Sequence, residues 1–460
     1  MDRRRRPRAT RGVRLAVTVL LAAIAGIIGL IVYARRNQAP ERAKVAAVLA
    51  EAGQRAAAIR AALGEKRKNF PPESARPPAL MGKRGVESQI LLRTARGMID
   101  NDGVMSQIVL DELRMQLEPF RIGNRLTPLL ASLDPAANTP EQVAERFTDY
   151  LRTNKELKEI EQGIENGLYD ELTIPDPHIF LSLETSSTVA FFAARALADA
   201  NSGALENAVN TCVCLYRLGE LVGSSRLCQG IAKKAQINAD TDKVVWRIAD
   251  RAPLSPDDEN RLAAEIGKRL SWTPLIESLR YTAAFMESGQ LWGRPRQDPF
   301  DAFFRGRYGR GSMQLAEAMI RLLENPSADT PRLLAELPNQ AGRNGHGHPF
   351  IRLAYETAYK MHAKDIARAK AMYLGFILKA WKRGHGAYPT SLDELDPKPA
   401  PETWHDVSTG VLLNYERTPE GGFTIWIEGQ AAAHDSGPGK GMPPASAPDG
   451  KREIGWEARN

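Results

Sequence analysis

Apolar residues recur at three- and four-residue steps through most of this chain, the spacing that places them on one face of an α-helix. Between residues 41 and 63, Val45, Val48, Leu49, Ala52, Ala56, Ile59 and Leu63 follow it. The periodicity returns from Val86 to Arg383, interrupted by Pro and Gly clusters. It predicts helices over 86–98, 104–118, 140–166, 186–200, 204–222, 225–237, 256–270, 273–288, 312–324 and 350–383. Ser186 to Val222 reads as a helical hairpin around Asn201-Ser202-Gly203, with Ala194, Leu197, Ala208, Cys212 and Leu215 facing inward. The hairpin does not recur at the ~34-residue period of a tetratricopeptide array, so no repeat array is expected. Alternating strand-like runs are scarce before residue 405. Beyond it, Leu413 and Tyr415 share one strand face and Phe423, Ile425 and Ile427 another, with Thr418 to Gly422 as the hairpin loop. The expected fold class is therefore mainly α, with a small C-terminal α+β unit.

The pattern changes kind at the N-terminus. Leu15 to Ala34 is an uninterrupted run of uncharged, mostly apolar residues. At about 1.5 Å per residue it is roughly 30 Å long, enough to cross a bilayer core as a single transmembrane helix. Seven arginines precede it (Arg3, Arg4, Arg5, Arg6, Arg8, Arg11 and Arg14), whereas Arg35, Arg36, Arg42 and Lys44 follow. This asymmetry predicts a cytoplasmic N-terminus and a body on the far side. Val32-Tyr33-Ala34 before two arginines is a poor cleavage site, so a retained anchor is expected rather than a removed signal peptide. Ala22, Ala25, Gly26 and Gly29 add small-residue pairs of the kind that pack membrane helices. Pro71, Pro72, Pro77 and Pro78 then forbid regular helix between the stalk and the body.

Charge narrows the partners. The chain carries +7, of which residues 1–14 hold +6, so the body is nearly neutral and no nucleic-acid partner is expected. The tail instead suits anionic headgroups on the cytoplasmic leaflet. Cys212, Cys214 and Cys228 are too few for a disulfide framework, and Cys212 and Cys214, two apart, face away from each other on a helix.

Candidate chemistry is thin. Asp100-Asn101-Asp102-Gly103 suggests a calcium loop, but with Gly103 as the loop glycine the first and last ligands would be Met98 and Val109, which have no side-chain oxygen. A turn between helices is expected instead. His346, His348 and His362 lack a carboxylate or cysteine at ligand spacing. Trp292-Gly-Arg-Pro-Arg and Arg305-Gly-Arg-Tyr-Gly-Arg read as a basic, aromatic-laced loop between helices. No nucleophile elbow, phosphate loop or HExxH helix occurs, so no catalytic residue and no cofactor is assigned and the metal content is left open.

The last hundred residues carry the most specific pattern. A helix bearing Ile366, Lys370, Tyr373, Ile377 and Trp381 stops at Gly384-His385-Gly386, and Ser391 is placed to cap a short turn holding Leu392 and Leu395. The succession KRGHGAYPTSLDEL, DVSTGVLLNY, GGFTIWIEG and EIGW resembles the C-terminal globular domain of type II secretion major pseudopilins. It is closer still to the pseudopilin-like modules of membrane-anchored planctomycete-type proteins. The matching residues are Gly386, Tyr388, Pro389, Leu392, Leu395, Asp406, Thr409, Gly410, Leu413, Tyr415, Gly422, Phe423, Gly429, Ile454 and Trp456, over about a fifth of the chain. The resemblance implies a long helix packed on a small antiparallel sheet, in an envelope setting. It also implies a C-terminal loop able to hold calcium; here Gln430 to Glu453 offers only Asp435, Asp449 and Glu453, and a surface loop is expected. The N-terminus departs from the family. Gly12 is followed by Val13, Val17 stands where the family has Glu, and Arg14 intrudes into the apolar start.

The organisation expected is a basic tail (1–14), a transmembrane helix (15–34), a stalk and Pro-rich linker (35–85), an α-helical domain (86–349), the pseudopilin-like module (350–429) and a loop-rich end (430–460). The function expected is that of a non-enzymatic interaction or scaffold protein of the bacterial inner membrane, with a periplasmic body. Its partners would be the lipid bilayer, through Leu15 to Ala34, and other envelope proteins. The alternatives are a component of a type II secretion or pilus-like apparatus and an envelope enzyme using Glu184, Asp301, His346 and His348.

Overall fold

The structure, a computed structural model, describes residues 86–123, 126–167, 184–223, 227–287, 299–325, 349–396, 411–419 and 421–428, the short strands at 405–406 and 455–458, and helical patches between 43 and 65 and between 329 and 337. The proposed span Leu15 to Ala34 lies outside these residues. Among the described residues, no helix is long and apolar enough to cross a membrane.

The body is mainly helical. Its helices are α1 (Val86–Asp100), α2 (Gln107–Ile122), α3 (Pro128–Ser132), α4 (Pro140–Thr153), α5 (Lys155–Glu165), α6 (Glu184–Asn201), α7 (Leu205–Gly223), α8 (Cys228–Arg251), α9 (Pro256–Gly267), α10 (Thr273–Glu287), α11 (Pro299–Glu324) and α12 (Pro349–His385). Several open on a hydroxyl followed by proline. The Thr127, Thr139 and Ser255 oxygens accept the backbone N–H of Leu130, Gln142 and Asp258, while the next residue, proline, occupies the first turn where its missing N–H costs nothing.

The short α3 is not among the expected helices, and three longer helices differ from the sequence reading, each for a local reason. The helix expected over 140–166 is two, because Asn154 ends α4 and turns its side chain to accept the Leu157 N–H at the start of α5. Helix α8 runs fourteen residues past its expected end at 237, through Asn238, Thr241 and Asp242, polar residues whose burial is described below. Helix α11 begins at Pro299, so the expected basic loop at Arg305 to Arg310 is helix despite Gly306, Gly309 and Gly311.

Two hydrophobic cores share α8 and α12. The larger joins α1 to α7, most of α8, α9 and the C-terminal half of α12, and extends into the sheet through Leu413, Phe423 and Ile425. The smaller gathers α10 and α11 around Cys228 and Ile231 of α8 and Tyr355 and Ala358 of α12. The 37-residue α12 is more central than the predicted stripe implied. Ala363, Ala367, Ala369, Met372, Leu374, Phe376 and Leu378 are all buried, whereas Tyr373 is half-exposed. Glu259 of α9 accepts both terminal nitrogens of Arg383 at 2.6 Å, fastening the end of α12.

The sheet has the order β1-β2-β3-β4, all antiparallel: β1 (His405–Asp406), β2 (Val411–Arg417), β3 (Phe423–Glu428) and β4 (Gly455–Ala458). The β2–β3 register sets Leu413 opposite Ile427 and Tyr415 opposite Ile425, the faces expected from the alternation. Phe423 is the keystone. Its ring meets Tyr388 edge-on at 4.7 Å and Trp246 of α8 at 6.2 Å, so the sheet docks on the helical body itself.

Candidate functional site

Between the two cores lies a polar waist. On α12 the core positions Tyr355, Ala358, His362, Asp365, Ala369 and Met372 follow helical spacing, so His362 and Asp365 occupy an apolar stripe. On α8, Asn238 and Asp242 interrupt the stripe in the same way. Gly219 of α7 allows α8 to approach, since a Cβ there would stand 2.6 Å from the Asn238 amide oxygen.

Arg269, just past the end of α9, closes this waist with its side chain 1 % exposed. Its Nη1 and Nη2 donate to the two Asp242 oxygens at 2.6 and 2.9 Å. Its Nε and Nη2 donate to Asp365 Oδ1 at 3.0 and 2.5 Å. The second carboxylate oxygens are also engaged or shared: the Asn238 amide donates to Asp365 at 2.9 Å, and the Tyr216 hydroxyl to Asp242 at 2.7 Å. Burial alone would lower the Arg269 pKa, but the two facing carboxylates drive it well above the ordinary value. Burial, reinforced by the Asp242 charge, raises the Tyr216 phenol.

His362 lines the same seam. Its Nε2 lies 2.9 Å from the Ser271 carbonyl, which can only accept, so the neutral ring carries its proton there. Burial holds its pKa down at about 4, with Lys234 and Arg269 adding to the effect against the opposing Asp365 carboxylate. Trp272 meets the ring edge-on at 5.3 Å.

A sealed arginine between two carboxylates has no lone pair and no proton to give near neutral pH. It clamps α8, the α9–α10 corner and α12 together. Removing one partner would strand a buried charge.

The cysteines are sealed as well. Cys212, Cys214 and Cys228 are free thiols at 1, 1 and 0 % exposure. Burial raises all three pKa values, that of Cys228 to about 11, which suppresses the thiolate. The Asp100–Gly103 segment is the turn expected. Asp102 and Gly103 have φ of 59° and 79°, and the Asp102 carboxylate takes Arg247 at 3.1 Å and Arg251 at 2.7 Å from α8. Among the described residues, no group of three metal-ligating side chains converges. Glu184 and Asp301 lie in the first turns of α6 and α11. His346, His348, Trp292 to Arg296 and Gln430 to Glu453 lie outside the described residues.

The surface offers two other features. On α2, Val109, Leu110, Leu113 and Leu117 enter the core while Ile108, Met115 and Ile122 stand 72, 69 and 78 % exposed. Elsewhere, a groove of about 470 Å³ runs between the helical residues 43–65, α10 and α11. The waist residues Arg269, Asp242 and Asp365 escaped sequence reasoning. Their signal is a charge within an apolar helical stripe, legible on α8 and α12 but mute about which charges meet. Compared with known proteins, the chain matches no family model, no curated protein and no solved structure.

Proposed function

We propose that this chain is a membrane-anchored envelope protein whose helical body acts as an interaction or scaffold module. The observation that carries this reading is the row of Ile108, Met115 and Ile122 on α2. Seven residues separate successive members, nearly two helical turns, so the three side chains form one line about 21 Å long. Each large apolar side chain left in water forgoes about 1.5–3 kcal/mol that burial against a partner would recover. Asp111, Glu112 and Glu118 flank the row, but Arg114 pairs with Asp111, Arg121 with Glu118, and Arg93 of α1 lines the pocket beside Met115, which favours a partner with an apolar ridge and a mixed polar rim.

The anchor is the run Leu15 to Ala34, and its arginine asymmetry supports an inner-membrane protein with a cytoplasmic N-terminus and a periplasmic body. The sealed waist and sealed thiols support a scaffold, since the most strongly interacting polar groups are devoted to packing. A second reading, a component of a type II secretion or pilus-like apparatus, draws support from the antiparallel β2–β3 hairpin that touches the long α12, the helix-and-sheet pairing that the pseudopilin resemblance implies.

The test is carbonate extraction of native membranes, followed by gentle-detergent capture of the full-length tagged chain with intact-mass analysis. The reading expects an intact bait that resists carbonate. It also expects an envelope protein held in fixed stoichiometry by the wild type and lost with Ile108→Ser/Met115→Ser/Ile122→Ser. Release of the bait by carbonate, or identical capture by the triple variant, overturns it. A bait shortened at Gly12, captured with secretion or pilus subunits, replaces it with the second reading.

A further inference from the structure

We infer that the groove between the 43–65 helical residues, α10 and α11 binds an anionic phospholipid of the membrane that anchors the chain, an inference that rests on the anchor reading above. Its floor is apolar: Ala47 and Val48 on one side, Ala283 on α10, and Met313, Ala316 and Ile320 on α11. Its rim carries Lys44, Arg280 and Arg321 beside one lining carboxylate, Glu317, and with Glu324 counted against Arg280 one positive charge remains in excess. Lys44 neutralises Glu317 at 3.4 Å, and Arg280 reaches Glu324 outside the groove at 2.6 Å. Arg321 Nε donates to the Glu317 backbone carbonyl at 3.3 Å. An apolar trough with arginines at its edge matches an acyl chain below a phosphate, and the planar guanidinium suits a phosphate better than an ammonium does.

The chain length fixes the source of that ligand. The proposed span ends at Ala34, and eight residues, 35–42, separate it from the described helix. Fully extended they reach at most ~29 Å, and as helix about 12 Å. The groove therefore lies within reach of the headgroups on the body's side of the bilayer. The helix forming its outer wall is held by ion pairs that are themselves exposed, Lys44 to Glu317 and Arg55 to Glu277 at 3.1 Å. Such pairs contribute about 1 kcal/mol each at most.

The experiment uses the full-length protein in non-ionic detergent, titrated with phosphatidylglycerol or phosphatidylcholine and read by native mass spectrometry. Phosphatidylglycerol is expected to bind about tenfold more tightly, and Arg321→Glu is expected to erase that preference. Val48→Asp, which places a carboxylate on the floor opposite Ala283, Ala316 and Ile320, is expected to weaken both lipids. Equal affinity for the two lipids, or a preference unchanged by both variants, overturns the groove site. Carbonate extraction of the same protein reports on the anchor separately. Retention without lipid selectivity sinks the groove alone, and release sinks the anchor and the inference with it.

Discussion

Arg269 and Arg321 are the same side chain in two settings, and the contrast separates what this molecule uses for folding from what it leaves available. Arg269 is sealed between Asp242 and Asp365, with donors aimed at fixed oxygens on two long helices. Arg321 sits at the rim of a groove whose outer wall is held by exposed ion pairs. Desolvation makes the first arrangement intolerant of change, because each charge depends on its neighbours. Water makes the second tolerant, because a charge at the surface keeps its hydration whatever happens nearby.

The largest break in that contrast is expected at the waist. Arg269→Met leaves two carboxylates buried beside each other and should cost about 3–5 kcal/mol in denaturant unfolding. Adding Asp242→Asn and Asp365→Asn should recover most of the loss. A second prediction concerns pH. The folded His362 pKa, about 4, lies below the unfolded value, so the fold favours the neutral ring. Stability is complete above about pH 6.5 and falls as the pH drops towards 4, by about 3 kcal/mol in all. His362→Gln retains a donor for the Ser271 carbonyl and should flatten that slope, as measured by unfolding at a series of pH values.

Gly103→Ala comes next. A Cβ there would stand 2.6 Å from Leu197 Cβ at a φ of +79°, so α1 and α6 must part, at a cost of about 1–3 kcal/mol in thermal unfolding. The smallest stability effects belong to the groove. Arg321→Glu should shift unfolding by under ~0.5 kcal/mol while erasing lipid selection, and Val48→Asp, at a half-buried position, by about 1 kcal/mol while weakening both lipids. A large destabilisation by either would erase the contrast with the waist.

The contrast also explains what the sequence made legible. In α1, α6 and α7 the apolar stripe that the helix buries makes the helix legible, and the shared faces of β2 and β3 follow from simple alternation. Helix α8 reads as ending at 237 because Asn238, Thr241 and Asp242 interrupt the apolar pattern, yet these residues are buried with partners and the helix continues to the core residues Val244, Val245 and Ile248. The partners are remote: Arg269 lies 27 residues from Asp242 and 96 from Asp365. No local spacing pairs them. Asn154 reads as one more polar position in a helix, although its side chain starts a new one. The three glycines of α11 suggest a loop, although tertiary packing of Leu315, Met319 and Leu323 sustains the helix that contains them.

Hydrogen–deuterium exchange of the full-length protein, with and without phosphatidylglycerol, tests this division most directly. Lipid should slow exchange in residues 43–65 and in 313–321 of α11, while 238–242 of α8 and 362–365 of α12, already sealed, should not change. Protection that appears at the waist and not at the groove would contradict the account.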